Sequence, residues 1–331
     1  IDQALNVVYP ADVRQDRPVE VFMAHMDVVF PDETELPLRV EGGRIYCPGV
    51  GDNTACLVCL LLAGKYIAGY VDSPRWREIR GENAPGLLLV CNAGEEGLGN
   101  LKGVHKICED YGDRMERFCT FDSSLSSIVD RAVGSKRFRV RVRTRGGHSY
   151  NNFGNDNAIA CLASLVGELY GIRVPEGGKT TYNVGMISGG TSVNTIAQEA
   201  EMLYEFRSDR RENLEYMERQ FMKVIDRGKS EGMDVSLEII GVRPCEGPVD
   251  PKRKQALSDW AHRVVEEMTG QAPKHCAGST DCNIPLSLGI PSVCVGSFRG
   301  AGAHTREEYV ETDSLEEGYK VAFGMIFGSR D

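Results

Sequence analysis

A layered α/β protein interrupted by a smaller inserted domain is the fold class that the sequence predicts, on three observations. Short apolar runs ending in polar residues alternate with helical stretches near the start of the chain and again near its end, the order that builds a mainly parallel sheet covered by helices. Between them the pattern changes to strands with one polar face, in the order β-α-β-β-α-β of ferredoxin-like domains. At 331 residues the chain is also long enough for two packed units. The expected division is residues 1–132 and 245–331 for the α/β domain in two parts, and 133–244 for the insertion.

Residues 19–26 (VEVFMAHM) and 86–92 (GLLLVCN) read as strands buried on both faces. Residues 53–70 between them read as a helix, a second helix follows at 101–110, and 117–122 is the next strand. The character changes near Ser135. Residues 136–144 alternate strictly, with Phe138, Val140 and Val142 on one face and Arg137, Arg139, Arg141 and Arg143 on the other, as a strand with one solvated face should. A helix at 155–170, strands at 180–187 and 196–206, a helix at 211–226 and a strand at 234–241 complete the insertion. After Pro244 and Pro248 a helix at 251–269, a strand at 292–296 and a closing helix at 314–327 restore the first pattern.

Composition narrows the function classes. The chain is 41% hydrophobic and 26% charged with 37 Gly and 14 Pro dispersed along it, which excludes disorder, collagen and coiled coil. A net charge of −10 is the wrong sign for a phosphate-binding surface, so no nucleic-acid partner is expected. The longest apolar run, near residues 55–63, falls well short of a bilayer span, and no membrane association is expected. Eleven unclustered cysteines in a chain too long to need disulfide staples favour a reducing, cytoplasmic compartment. The opening Ile1-Asp2-Gln3 carries no apolar signal segment.

Parallel α/β sheets carry their functional groups just beyond the carboxyl ends of the strands. The polar residues at those positions are His25 and Asp27, Asp52, Glu95 and Glu96, Asp122, and His304. One such residue is ordinarily a cap or a satisfied loop group. Seven, all with nitrogen or carboxylate side chains, point to a metal centre. Histidine and carboxylates without thiolates suit zinc or another borderline divalent ion, and the excess of carboxylates suits two ions sharing a bridging group. Such a pair polarises a carbonyl and lowers the pKa of a bound water, while of adjacent Glu95 and Glu96 one can ligate and the other take the proton.

The motifs HMDVV (25–29), GDN (51–53), GEEG (94–97), FD (121–122), GGHS (146–149), GGTSVN (189–194) and AHT (303–305) resemble, in collinear order over nearly the whole chain, the dinuclear-zinc exopeptidase and deacylase family. Peptidase T, peptidase V, glutamate carboxypeptidase, aminoacylase and acetylornithine deacetylase are among its members. The resemblance implies a phosphorylase/hydrolase-like catalytic domain with an inserted lid. It also implies two Zn2+, with Mn2+ or Co2+ as substitutes. His25, Asp52 and Asp122 would hold the first ion; Asp52 would bridge to the second, completed by Glu96 and His304. Glu95 matches the general base and Asp27 the carboxylate that orients His25, and the Asp52–Asn53 bond sits where the family has a cis peptide. In the lid, His148 matches the histidine that reaches the partner subunit's active site and binds the oxyanion, and Asn194 and Arg207 match groups that hold a substrate carboxylate. The lid would make the homodimer. Against the resemblance, an N-terminal helix and strand usual in the family are not recognised at the start of the sequence, and a trimmed or disordered start, not a different fold, is expected.

Other features have plainer readings. Cys56 and Cys59 have metal or redox spacing but lie in an apolar helix without a second pair, so they are read as packing. The arginine stripe at 137–143 lacks interleaved aromatics and is read as a solvated lid strand or an interface. The glycine pairs at 42–43 and 189–190 are turns, not phosphate loops. His105, His262 and His275 lie away from the strand ends and are read as structural. The GSTD loop at 278–281 resembles the family's Gly-Gly-Thr-Asp loop with one substitution, which implies an influence on specificity. The expected function is a metal-dependent hydrolase of amide bonds in small peptides, a di-/tripeptidase or aminopeptidase. An N-acyl amino acid deacylase is the alternative within the same chemistry, and a non-catalytic binding module is the reading from a different class.

Overall fold

The computed structural model describes residues 1–30 and 35–328. The chain divides into two compact units, Ile1–Ala132 with Glu246–Asp331, and Val133–Cys245. Its first segment supplies β1 (Val7–Ala11), β2 (Val19–His25), β3 (Arg39–Glu41), β4 (Arg44–Tyr46), α1 (Cys56–Tyr70), α2 (Pro74–Arg80), β5 (Gly86–Asn92), α3 (Lys102–Tyr111), β6 (Met115–Phe121) and β7 (Ser127–Ala132). The insertion contains β8 (Gly134–Arg143), β9 (Gly147–His148), α4 (Ala158–Tyr170), β10 (Thr180–Gly189), β11 (Thr195–Ile196), β12 (Glu199–Ser208), α5 (Arg211–Ser230) and β13 (Asp234–Arg243). The last segment carries α6 (Pro251–Thr269), β14 (Lys274–Gly278), α7 (Asn283–Ser287), β15 (Ser292–Val295), β16 (Gly300–Ala301), β17 (Tyr309–Glu311) and α8 (Ser314–Phe327).

The larger unit is built on a seven-stranded sheet in the order β1-β5-β2-β6-β15-β7-β14. Its centre, β5-β2-β6-β15, is parallel, and every residue of β2 and β5 is buried. The two faces share β2 by its period of two: Phe22 and Ala24 pack with α1, α6 and α8, whereas Val19, Val21 and Met23 pack with α3 and α7. Two pairings break the parallel rule, β1 against β5 and β7 against β15, and β14 follows β7. β1 is an edge strand, the position that tolerates Pro10 and its missing N–H. Residues 50–70, an irregular turn followed by α1, are long and apolar enough in composition to cross a membrane. In the fold this stretch is a core helix, with Cys56, Cys59, Leu60, Ala63 and Ile67 in the hydrophobic core.

The smaller unit has a four-stranded antiparallel sheet, β10-β12-β8-β13, with α4 and α5 packed on it. Phe138, Val140 and Val142 point into its core. On the other face the arginine stripe meets glutamates across the strands: Arg137 to Glu205, Arg139 to Glu201 and Glu238, Arg141 to Glu201, and Arg143 to Glu199, at 2.5–3.4 Å. The stripe is a ladder of partly exposed cross-strand ion pairs.

Candidate metal centre

The parallel strands bring their polar termini to one end of the larger sheet. β2 ends on His25, the Gly94-Glu95-Glu96 turn follows β5, and Asp122 follows β6. Asp52 comes from the irregular turn before α1, and its peptide bond to Asn53 is cis. His304 comes from the loop between β16 and β17 in left-handed backbone (φ 65°), which histidine adopts more readily than branched residues do.

His25 Nε2 lies 3.0 Å from Asp52 Oδ1 and 3.7 Å from Asp122 Oδ1. His304 Nε2 lies 3.0 Å from the other Asp52 oxygen and 3.2 Å from Glu96 Oε1. Three sets of side chains, His25-Asp52-Asp122, His25-Glu95-Glu96 and Asp52-Glu96-His304, each place their ligand atoms within 4.8 Å of one another. Four carboxylates therefore share this space with two imidazoles.

The electrostatics follow from that crowding. Burial and the neighbouring Asp52 charge push the Glu96 carboxyl up to about 7. For His25, burial works against the charged ring, but hydrogen bonds to Asp122 and Asp52 outweigh it and hold the pKa well above the ordinary value. Asp52 also pays a burial penalty, which the two histidines overcome, so its carboxyl is held low. An excess of buried negative charge on hard oxygen and imidazole donors is a donor set that fits a divalent cation.

Two more carboxylates hold the turns that carry these groups. Asp27 accepts the backbone N–H groups of Gly94, Glu95 and Glu96 at 2.9, 3.2 and 2.8 Å. Its carboxylate lies 3.8 Å from His25 Nδ1, and the atom that meets that nitrogen is the Asp27 backbone carbonyl, at 3.0 Å. The hydrogen-bond-length contact at His25 Nδ1 is thus made by the main chain of Asp27, while its carboxylate holds three N–H groups. Glu308 does the same for the Asp52 turn, accepting from Gly49, Gly51 and Asp52 at 2.6, 2.9 and 2.7 Å. Asn53 Nδ2 donates to the Phe121 carbonyl at 2.8 Å, tying that turn to the strand before Asp122. Asp281, read from the sequence as part of a specificity loop, is fully buried and accepts from Asn92 Nδ2 at 2.8 Å, beneath the Glu95 turn. Neither Glu308 nor the Asn53 side chain stood out in the sequence. The one available signal was an acidic residue close to His304 combined with glycines at 49 and 51.

In the smaller unit His148 and Asn194 are neighbours. His148 pairs with Thr195 across β9 and β11, and Ser149 N–H donates to the Asn194 carbonyl at 3.0 Å. Arg207 is elsewhere, opposite Ser135 at the far end of β12, and forks onto Glu205 at 3.0 and 3.1 Å.

Residues 21–327 match peptidase family M20/M25/M40. Succinyl-diaminopimelate desuccinylase of Nitrosomonas eutropha is 25% identical over 326 residues, covering 91% of this chain and 80% of that protein. The enzyme of the same name from Nitrosococcus oceani is 25% identical over 230 residues, 64% of this chain and only 58% of its own length. A tripeptidase from Staphylococcus aureus shares the fold at a TM-score of 0.70 and 20% identity, covering 98% of this chain and 83% of that one. With the family match running through both units and the cluster of histidines and carboxylates lying within it, the chain belongs to peptidase family M20/M25/M40 and is a metal-dependent amide hydrolase.

Proposed function

We propose that this protein is a dinuclear zinc exopeptidase of di- and tripeptides, working as a cytoplasmic homodimer. The observation that carries the dinuclear reading is the division of Asp52, one carboxylate oxygen 3.0 Å from His25 Nε2 and the other 3.0 Å from His304 Nε2. One ion would be held by His25, Asp52 and Asp122 and the other by Asp52, Glu96 and His304, with Mn2+ or Co2+ able to replace zinc. When bound, the metal pair supplies Lewis acidity that polarises the scissile carbonyl and acidifies the attacking water.

The chain's own groups do the rest. Glu95 is the general base: its buried carboxylate takes the proton of the attacking water and passes it to the leaving amine. His148 donates to the developing oxyanion. Its Nδ1 accepts the backbone N–H groups of Tyr150 and Asn151 at 3.3 and 3.4 Å, which leaves the ring proton on Nε2. Arg207 exchanges Glu205 for the substrate carboxylate, which its planar fork matches, and Asn194 adds an amide donor beside His148.

The dimer has its own support. From Glu199, near the His148 loop, to Arg207, β12 spans roughly 26 Å of extended chain, so one lid cannot bring both groups to a single small substrate. Two lids can, one giving His148 and the other Arg207. The edge strand β10 offers the contact, with an outer edge that pairs with no other strand among the described residues and with Met186 and Ile187 exposed. A reducing compartment accords with eleven free cysteines.

The desuccinylase relatives favour a second reading, removal of an acyl group from an amino acid. Chelated protein reloaded with zinc, manganese or cobalt and offered free-amine di- and tripeptides beside N-acetyl and N-succinyl amino acids separates the two. Turnover confined to the acylated set overturns the peptidase reading. Retention of less than one equivalent of metal after dialysis against zinc overturns both and leaves a binding module.

A further inference from the structure

We propose that Glu308 is a positioning residue of the metal centre, holding the Asp52 turn and the His304 segment in one arrangement; the inference rests on the metal reading above. Glu308 is 2% exposed. Its Oε2 accepts from Gly49 N–H at 2.6 Å, and Oε1 accepts from Gly51 N–H at 2.9 Å and Asp52 N–H at 2.7 Å. These donors are free for it because they stand at the start of the segment that leads into α1, where no preceding turn accepts them.

The fit is specific on both sides. A Cβ on Gly51 would lie 2.9 Å from Glu308 Oε1 and 2.7 Å from the Phe298 ring, so only glycine lets the carboxylate approach. Glu308 is anchored in turn by its own backbone. Its carbonyl accepts from Cys47 N–H at 3.1 Å, and the next residue, Tyr309, pairs with Tyr46 where β17 meets β4. His304 lies four residues upstream, within the Gly302–Thr305 turn closed by a 2.9 Å backbone bond. The residue that grips the Asp52 turn is therefore part of the same segment that presents His304 to Asp52 and Glu96.

Three N–H donors need acceptor oxygens on both arms of the side chain. Glu308→Gln supplies one oxygen and turns an NH2 group onto an N–H, losing at least one bond and the charge. Chelated full-length protein is titrated with Co2+, read by equilibrium dialysis and by the visible absorption of the bound metal. The parent is expected to take two equivalents. Glu308→Gln is expected to keep a parental far-UV circular dichroism spectrum, to bind the second equivalent about 10- to 100-fold more weakly, to show an altered cobalt spectrum, and to lose kcat with little change in KM. Parental affinity, spectrum and kcat in Glu308→Gln overturn the proposal. If that variant does not fold, Glu308→Asp replaces it. It keeps the charge but falls one methylene short of spanning Gly49 and Asp52, so the same losses support positioning and parental behaviour overturns it. A parent that takes up no cobalt brings down the metal reading itself, which is a different outcome from a parent and variant that bind alike.

Discussion

Replacing Asp27 with asparagine tests how the Glu95–Glu96 turn is held. The carboxylate accepts from Gly94 and Glu95 on Oδ1, at 2.9 and 3.2 Å, and from Glu96 on Oδ2 at 2.8 Å. Asparagine has one oxygen. Placed at Oδ1 it keeps two bonds, loses the shortest, and sets an NH2 group against the Glu96 N–H. A hydrogen bond to a charged acceptor contributes about 1.5–3 kcal/mol, which is about 10- to 150-fold in a rate that depends on the turn. The Asp27 side chain is 28% exposed, so the lower part of that range, about 10- to 40-fold, is expected. The assay is kcat at saturating zinc. If the carboxylate served only to orient His25, the deficit would be one of metal affinity, and excess zinc would restore turnover. If it holds the turn, the deficit persists however much zinc is added. A kcat within twofold of the parent at saturating metal refutes the clamp.

Glu95→Gln removes the base but none of the proposed ligands, so metal content should stay at the parental level while kcat drops by about 100- to 10,000-fold; undiminished turnover would sink the mechanism. In the metal-free protein the Glu96 carboxyl titrates at about 7, and it must be ionised to ligate, so apparent zinc affinity should fall as pH drops through that value and level off above it. The same upward shift makes ionised Glu96 a destabilising charge, so the metal-free protein should unfold more readily on the alkaline side of that pH, and bound zinc should abolish the trend; a melting temperature of the metal-free protein that rises with pH through this window contradicts the assignment. Mixing Glu95→Gln with His148→Ala chains and allowing exchange should recover about a quarter of parental activity, since half the dimers are mixed and one site in each is intact. No recovery despite proven exchange would exclude His148 acting across subunits.

The placement of His25, Glu95, Glu96 and Asp122 was legible because buried parallel strands leave an unmistakable trace, apolar runs such as GLLLVCN that stop at polar residues. Asp52 and His304, read with the others as strand-end residues, sit instead in an irregular turn and a left-handed loop, where no periodicity exists. The edge and antiparallel strands of the larger sheet were illegible. β1 contains Pro10, β7 contains Asp130 and Arg131, and β14 is half polar, so the sheet and not local pattern makes them strands. The alternation of β8 was plain, but the glutamates that answer its arginines come from β12 and β13, far along the chain. His262 and His275, read as structural, bond each other at 2.9 Å, and His275 meets Asp130 at 2.7 Å.

Glu308 shows why the supports of the site were hidden. In the sequence it belongs to Arg306-Glu307-Glu308, which has the look of a solvated charge run, and Glu307 is indeed exposed. What turns Glu308 inward is the pairing of β17 with β4, a tertiary fact. Acidic side chains around this centre then fall into two kinds by what fills their lone pairs. Asp27 and Glu308 each receive three backbone N–H groups, so their charge is balanced by main-chain dipoles and their oxygens are occupied. Asp52, Glu96 and Asp122 face imidazoles and one another, and burial together with that repulsion raises Glu96 to about 7. Mutual repulsion among the second kind would spread their turns apart unless something independent of the metal held them. The carboxylates of the first kind do so while competing little for the cation, because three of a carboxylate's four lone pairs already hold N–H donors.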